Sequence, residues 1–312
     1  PYGRRLRLVT ADWGGRIYLL DQALLALVEL APDGRIIPVL ELPAWLAALG
    51  RQADYLAVGL DGDFYLGASG EVITHIDAAG QFLGRVNLAS DPALRNVDLR
   101  AMAVSPAGTL WLLDAGFSYV EFPDGDYHIL ENPRALAFDG AGALVATVPL
   151  DSLAVGLPVH VTALAFDGAG HMIVAGEGDP DGVVLVLDER ARPRARWGPG
   201  LAPPAAFRSP VGVVVDARDR LFLYTGTWFS GETTIPPAQY DLNQHLGYAA
   251  WTTDGSHWNS PVLLEGTFGH YVWRAATFGD RAYLCGRRKP EFEIFGRGEP
   301  ATVESLMLDS ED

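Results

Sequence analysis

Cysteine and long hydrophobic segments are the scarcest features of this sequence. Cys285 is the only cysteine, so no disulfide forms within the chain, which argues against a disulfide-stapled secreted module. No apolar run reaches the roughly 18 residues that a membrane-spanning helix needs. Hydrophobic residues nevertheless make up 49% of the chain, enough for a large core. The sequence predicts a fold held by packing, without membrane insertion.

Motifs that identify a catalytic class are also missing. The seven histidines form no His-x-His or His-Glu-x-x-His pattern, so a zinc site has no support. There is no Gly-x-Ser-x-Gly elbow, and no glycine-rich phosphate loop joins a strand to a helix. Cys285 follows Tyr283 and Leu284 in an apolar segment, which favours a core position over a nucleophile. These absences leave the type of reaction, if any, undetermined.

The charge balance argues against nucleic acid as a partner. The net charge is −16 and the pI is about 4.7, and an acidic surface repels phosphate backbones. One basic run, at Arg190, Arg192, Arg194 and Arg196, alternates with period 2. We interpret it as the solvent-facing side of one strand.

Internal repetition is the dominant positive feature. Apolar alternation, a short turn and another apolar run recur, with Ile17, Phe64 and Leu110 at matching positions 47 and 46 residues apart. A second set of turns occurs at Gly34, Gly80 and Gly125, 46 and 45 residues apart. Two hairpins per unit give four strands, and a unit of this length is typical of a propeller blade.

The repeat becomes irregular in the second half. The segment Leu136–Gly142 recurs identically as Leu164–Gly170, and further copies begin near Val213 and Thr277. Counting each copy as a blade predicts an all-β propeller of six or seven blades that forms a single domain over residues 1–312.

The repeats up to about residue 225 resemble NHL-type and gluconolactonase-like propeller repeats. Ala165–Gly170 and Pro210–Asp216 carry this resemblance. Lactonase-type propellers hold a divalent cation at the tunnel through Glu, Asn and Asp oxygens. The resemblance therefore implies a calcium-like ion, for which Asn96 and Asn132 are the candidate ligands, although turn roles fit both residues as well.

The segment 247–312 is similar to the Asp-box hairpins (BNR repeats) of sialidases. Asp254, Gly255 and Trp258 carry the similarity, with one residue fewer than the usual spacing. In such hairpins the Asp caps its own turn and the Trp packs between sheets, so the resemblance implies structural roles. The chain ends in Leu306–Asp312, which resembles the start of a second box. We therefore expect a propeller that is incomplete at its C-terminus, from a longer protein.

Arginines at matching repeat positions provide the functional hypothesis. Arg100, Arg134 and Arg274 each precede an Ala-x pair, and Thr162 occupies the same position in another repeat. Innermost strands line the tunnel of a propeller, so these side chains are expected to converge at one mouth, with His160 in an approaching loop. Converging guanidinium groups favour an anionic ligand. The alternative is that each Arg pairs with a nearby acid such as Asp98 or Glu131.

Four functions remain open from the sequence. The leading one is a propeller that binds an anionic small molecule or glycan, without demonstrable catalysis. The alternatives are a sialidase-like glycoside hydrolase, a metal-dependent lactonase and a protein-interaction scaffold. The compartment, whether cytoplasmic or reached by bacterial-type export, is not indicated.

Overall fold

The computed structural model shows an all-β propeller. It describes residues 6–31, 34–68, 72–88, 94, 97–121, 127–150, 160–177, 182–197, 210–215, 220–227, 246–253, 257–264, 270–278, 281–288 and 304–309. The one helical segment in this part of the chain is a short 3-10 turn, Ala44–Leu46, that continues into helix α1, Ala47–Gln52. The described residues include no helix long and apolar enough to cross a membrane.

Five sheets have four antiparallel strands each, and we number them as blades in chain order. Blade 1 contains β1 (Leu6–Ala11), β2 (Ile17–Asp21), β3 (Ala26–Leu30) and β4 (Ile36–Glu41); blade 2 contains β5 (Tyr55–Val58), β6 (Phe64–Gly67), β7 (Val72–Ile76) and β8 (Phe82–Asn87). Blade 3 begins with β9 (Leu99–Val104) and β10 (Leu110–Asp114), continues through a separate hairpin of β11 (Phe117–Glu121) and β12 (Tyr127–Glu131), and is completed by β13 (Arg134–Phe138) and β14 (Leu144–Pro149).

The remaining strands complete the circle. Blade 4 contains β15 (His160–Phe166), β16 (Met172–Glu177), β17 (Val183–Leu187) and β18 (Pro193–Trp197); blade 5 contains β19 (Pro210–Val215), β20 (Leu221–Thr227), β21 (Leu246–Thr252) and β22 (Val262–Leu263). A three-stranded sheet follows, with β23 (His270–Phe278), β24 (Arg281–Arg288) and β25 (Glu304–Asp309). The first strands β1, β5, β9, β15 and β19 contact one another in succession, and β23 contacts both β19 and β1.

The prediction of six or seven blades is wrong: the described residues form five four-stranded blades. The miscount arises in blade 3. Residues 134–138 were expected to open a blade of their own, but β13 pairs with β10 as the third strand. The turn predicted at Gly125 lies outside the described residues, but the strands before and after it, β11 and β12, pair with each other in the separate hairpin and not as strands of the blade.

The core lies between blades. One cluster of buried side chains joins blades 1 and 2 through Leu20, Leu27, Phe64 and Leu66, and equivalent clusters follow around the circle. Middle strands are therefore covered on both faces, and every residue of Ile17–Asp21 is buried. This double burial explains why the middle strands are continuous apolar runs, with little of the alternation expected of a half-exposed sheet.

A five-residue turn closes most of the hairpins that join strand 1 to strand 2 and strand 3 to strand 4. In the turn Asp167–His171, the Gly170 N–H donates to the Asp167 carbonyl at 3.0 Å, and an Asp167 carboxylate oxygen accepts from the His171 N–H at 2.8 Å. The fourth residue adopts positive φ, which glycine tolerates best. Seven of the described turns have Gly there: Gly15, Gly34, Gly62, Gly80, Gly108, Gly142 and Gly170.

The turn Asp188–Arg192 departs from this rule, because Ala191 takes the fourth position with φ 58°. Replacing Ala191 by Gly removes the steric strain of a Cβ in the left-handed conformation. The greater conformational entropy of glycine in the unfolded chain offsets part of this gain. We expect Ala191→Gly to raise the free energy of unfolding by about 0.5–1 kcal/mol. Urea denaturation measures the change. Glu189→Gly, in the same turn but without positive φ, is expected to lower stability instead.

Candidate functional site

The first strands begin at one end of the propeller, which we call the mouth. The hydroxyl of Tyr55, the first residue of β5, donates to the carbonyl of Leu99, the first residue of β9. Blades 2 and 3 are therefore joined at the start of their first strands. The five-residue turns lie at the opposite end of the blades, because each follows a first or third strand.

A β-bulge interrupts most first strands close to the mouth. In β9 the pairing moves from Leu99 opposite Asp114 to Ala101 opposite Leu113, so Arg100 is the extra residue. In β15 the extra residue is Thr162, between Val161 and Ala163. The bulges of β1, β19 and β23 fall at Arg7, Val211 and Trp273. Bulges often occur beside active sites, where they redirect a side chain out of the ladder.

Arg100 and Thr162 therefore occupy equivalent places on neighbouring first strands, and a ligand-binding role for them stays a prediction. An Arg100 terminal nitrogen lies 2.7 Å from a carboxylate oxygen of Asp98, and the two side chains are 39% and 34% exposed. The Thr162 hydroxyl donates to the Ala175 carbonyl at 3.3 Å. His160 is exposed at the start of β15, opposite Glu177. The polar groups at this part of the mouth are thus reachable from solvent.

Arg134 does not lie on a first strand, which corrects its predicted equivalence with Arg100. It opens β13 and faces Asp114 across the ladder, while Asp114 faces Leu99 on its other side. Arg134 Nε donates to Asp114 Oδ2 at 2.7 Å, and the carboxylate is fully buried. Its acidic partner is Asp114 and not the suggested Glu131. Arg100 and Arg134 thus belong to one blade, on opposite sides of Asp114.

Arg274 is one residue beyond the equivalent position. Trp273 takes the bulge of β23, and Arg274 pairs in the ladder with Cys285. The Arg274 side chain lies outside the described atoms. The predicted convergence of three arginines from three blades is therefore reduced to Arg100 at the bulge, with Thr162 beside it on the next first strand.

Asn132 lies at the base of the β11–β12 hairpin and not in a loop that approaches a first strand. Its N–H donates to the Gly116 carbonyl at 3.1 Å, and its side chain is exposed. Asn96 lies outside the described residues. Among the residues that the structure does describe, no three His, Cys, Asp or Glu side chains come together as metal ligands.

Trp258 packs between blades 4 and 5. It contacts a buried cluster formed by Ile173, Ala175, Val184, Val213, Leu221 and Leu223. Asp254 and Gly255 lie outside the described residues, so the Asp-box turn stays a sequence resemblance. The role of Trp258 as part of an Asp-box likewise stays a prediction.

Sequence reasoning missed a partly buried carboxylate–histidine pair in blade 2. Asp63 Oδ2 contacts His75 Nε2, and the His75 ring stacks on Tyr65 with centroids 4.0 Å apart. Burial opposes ionisation of Asp63, but hydrogen bonds from His75 and backbone N–H groups outweigh it, so the pKa of this carboxyl is below its usual value. Burial, with a smaller contribution from Asp63, raises the pKa of Tyr65 to about 12.

This pair lies away from the mouth. Asp63 closes the turn after β5, at the end of the strand opposite to Tyr55, and Tyr65 belongs to the core between blades 2 and 3. We therefore assign it to the stability of blade 2. The repeat alignment offered one signal for this pair, an acid at a turn position where the other blades have none. Asp63 is the fifth residue of its turn, and the equivalent residues in blades 1 and 3 are Arg16 and Thr109.

Comparisons with known proteins identify the fold. No protein-family model matches the chain, and no curated protein matches it either. Among solved structures, a gluconolactonase from Xanthomonas campestris matches at 16% identity and a TM-score of 0.53, over 90% of this chain and 84% of that one. A streptogramin B lyase matches at 12% identity and a TM-score of 0.52, over 98% of this chain and 84% of that one.

A third match is regucalcin, a calcium-binding protein from Agrobacterium tumefaciens. It is 15% identical with a TM-score of 0.52, over 89% of this chain and 80% of that one. At these identities the likeness shows the propeller fold alone. The resemblance to gluconolactonase-like propellers is thereby supported at the level of the fold.

Proposed function

We propose that the chain binds a small organic anion at the mouth, with Arg100 as the anchor and Thr162 and His160 beside it. The observation that carries this proposal is the pair of equivalent bulges at Arg100 and Thr162 on adjacent first strands. A bulge takes its residue out of regular pairing, and such positions are typical of sites that present side chains to a ligand.

The chemistry of Arg100 selects an anion. A guanidinium group presents donors in a planar fork that matches a carboxylate. Its present partner, Asp98, is itself about one-third exposed. An exposed ion pair contributes little to stability, so a ligand carboxylate can replace Asp98 at small cost. Arg134 is excluded from the site, because its guanidinium neutralises the buried Asp114.

Fold neighbours support the size class of the ligand. Two of the similar structures are of proteins named for small organic substrates, a gluconolactonase and a streptogramin B lyase. In a propeller, the mouth of the tunnel is the concave site that suits such molecules. A monocarboxylate with a sugar-sized body combines this size with the charge that Arg100 requires.

Lactone hydrolysis is the second candidate, favoured by the gluconolactonase among the fold neighbours. The described residues do not supply the group of carboxylates and histidines that a catalytic cation would need, so we derive no metal-assisted step. Glucono-δ-lactone hydrolysis, followed by pH-stat with and without CaCl2, tests this activity.

The binding proposal is tested by isothermal titration calorimetry with D-glucuronate and, as the uncharged analogue, methyl D-glucuronate. We expect the wild type to bind the anion and to prefer it to the ester. A charge-assisted hydrogen bond contributes about 1.5–3 kcal/mol, so Arg100→Ala is expected to weaken binding by roughly 10- to 100-fold. Thr162→Val is expected to have a smaller effect.

Arg190→Ala is the matched control, because Arg190 is an exposed arginine in the turn between β17 and β18, at the end of blade 4 opposite the mouth. It removes the same charge and is expected to leave the affinity unchanged. Equal loss in both variants, equal affinity for acid and ester, or no binding of glucuronate by the wild type would each overturn the proposal. The last result would favour a protein-interaction scaffold.

A further inference from the structure

The outer strand of blade 4 carries a group of exposed arginines. Arg194 and Arg196 lie on β18, and Arg192 closes the turn immediately before it. All three side chains are exposed, and we call these residues the basic edge. Arg190 belongs to the turn and not to the strand, so the four arginines of the run do not form one side of a single strand, which corrects the interpretation from the sequence.

The strand that carries the basic edge has one strand beside it. Among the described strands, β18 pairs with β17 alone. Arg196 lies opposite Leu185 and Ala195 lies opposite Val186, while Arg194 is the extra residue of a β-bulge. The outer edge of such a strand presents backbone N–H and C=O groups to which an extended peptide can add as a further strand.

The outer strands of blades 2 and 3 have the same bulge but not the same charge. Their bulged residues are Leu83 in β8 and Val145 in β14, which are 49% and 58% exposed. Blade 4 therefore has an arginine where these two blades have an exposed hydrophobic residue. Two positions further on, Arg196 corresponds to Arg85 of β8 and to Thr147 of β14. Of these three outer strands, β18 is the one with two cations.

Arg194 is held in place by a neutral group, so it keeps its charge for a partner. One of its terminal nitrogens lies 2.7 Å from His171 Nε2, and His171 Nδ1 lies 2.6 Å from a carboxylate oxygen of Asp167. A guanidinium only donates hydrogen bonds, so Nε2 accepts here and the ring proton is on Nδ1. The imidazole is therefore neutral in this arrangement, and the exposed guanidinium has further donors for a carboxylate.

The acids around the basic edge offset only part of its charge. Asp188 lies 2.6 Å from a terminal nitrogen of Arg192, whose side chain is 67% exposed. Asp188 also accepts from the backbone N–H groups of Arg190 and Arg192 at 2.9 Å each, so this carboxylate is engaged within its own turn. Residues 188–196 contain four arginines and two acids, a net charge of +2, whereas the whole chain carries −16.

We propose that the basic edge is a docking site for an extended acidic segment of a partner protein, which adds to β18 as a further strand. Carboxylates at alternate positions of an extended peptide repeat about every 6.5 Å, which is also the spacing of residues two apart on a strand. A guanidinium fork matches a carboxylate, and the backbone ladder supplies further hydrogen bonds. This inference is independent of the ligand site at the mouth, because it concerns other residues and another strand.

The charge of the whole chain favours a short acidic segment over other anionic partners. A nucleic acid or an anionic membrane extends beyond the basic edge, and the rest of a chain with net charge −16 repels it. An acidic polysaccharide matches the charge but cannot continue the backbone ladder of β18. Charged residues on an edge strand also prevent association with other edges. The experiment therefore separates docking from this protective role.

The test measures fluorescence anisotropy of two labelled peptides at low ionic strength. One peptide has four Glu-Val repeats, and the other has four Glu-Pro repeats. Both present four carboxylates on an extended chain, but proline removes ladder donors and is poorly accommodated in a sheet. We expect the wild type to bind the Glu-Val peptide at least fivefold more tightly than the Glu-Pro peptide. Added salt is expected to weaken the binding.

Arg194→Gln/Arg196→Gln removes two charges from the basic edge and keeps it polar. We expect this variant to bind the Glu-Val peptide at least fivefold more weakly than the wild type. Arg196→Gln alone is expected to have a smaller effect in the same direction. Arg85→Gln is the matched control, because Arg85 is exposed at the equivalent position of β8, and it is expected to leave the affinity unchanged.

Four results would overturn the docking site. The first is no binding of the Glu-Val peptide by the wild type, and the second is an equal loss in Arg196→Gln and Arg85→Gln. The third is equal affinity for the two peptides, which would assign the attraction to charge alone. The fourth is self-association of the double variant with peptide binding unchanged, which would show that the arginines only protect the edge.

Discussion

Arg134→Ala is expected to lower the free energy of unfolding by about 3 kcal/mol. The Asp114 carboxylate is fully buried, and Arg134 is the cation that neutralises it. Removing one partner of a buried ion pair typically costs about 3–5 kcal/mol, because the remaining charge is uncompensated. The lower end of that range applies here, since the backbone N–H groups of Asp98 and Gly116 still bind the carboxylate. Urea denaturation at neutral pH gives the value.

Arg100→Ala is the internal comparison, because it also removes an arginine next to Asp114. Arg100 lies on β9 and Arg134 on β13, the two strands that flank β10. The pair of Arg100 with Asp98 is partly exposed, so its loss is expected to cost less than 1 kcal/mol. In Arg134→Ala/Asp114→Asn, the amide oxygen of Asn accepts the two N–H groups without a buried charge, and part of the stability should return. Similar losses from the two single arginine variants would contradict the assignment of Arg134 to a buried clamp.

The propeller could be predicted from the sequence because its repeating signal is local. A five-residue turn with Asp first and Gly fourth needs no distant partner: in Asp139–Ala143 one carboxylate oxygen accepts from the N–H groups of Ala141 and Ala143. The blade count was wrong because the rank of a strand within its sheet is not local. Leu136–Gly142 and Leu164–Gly170 are identical in sequence, yet the first begins within a third strand and the second within a first strand.

The candidate site was predicted in part for the same reason. Arg100 and Thr162 share a bulge, but Arg274 misses it by one residue, because a bulge depends on the register of two strands. Asp114 was missed although a signal existed. The strand Ile17–Asp21 ends in Leu-Leu-Asp, as does Leu110–Asp114, and both aspartates are fully buried at the mouth end of a second strand. Each of these carboxylates accepts a hydrogen bond from the N–H two residues further on, in Ala23 and Gly116, so a buried acid at matching repeat positions indicates a cap on the chain that leaves the second strand.

The two identical segments also provide a test of packing between blades. Gly142 and Gly170 have φ values of 86° and 85° in turns of the same sequence. A Cβ on Gly170 would meet no atom within 4 Å, whereas a Cβ on Gly142 would overlap the carbonyl oxygen of Arg85 in β8 of blade 2. We expect Gly170→Ala to lower the free energy of unfolding by about 1 kcal/mol, and Gly142→Ala by about 2–4 kcal/mol.

The difference between these two variants isolates the contact of blade 3 with blade 2, because the local strain of an alanine at positive φ is common to both. The obstacle to Gly142→Ala is backbone, and Arg85 is held in place by its pairing with Thr74 in β7. Relief therefore requires the two blades to separate, which loosens the core around Val86 and Phe138. Urea denaturation of both variants measures the difference. Equal losses would show that the β13–β14 turn does not pack on β8, and that blades 2 and 3 are held together elsewhere.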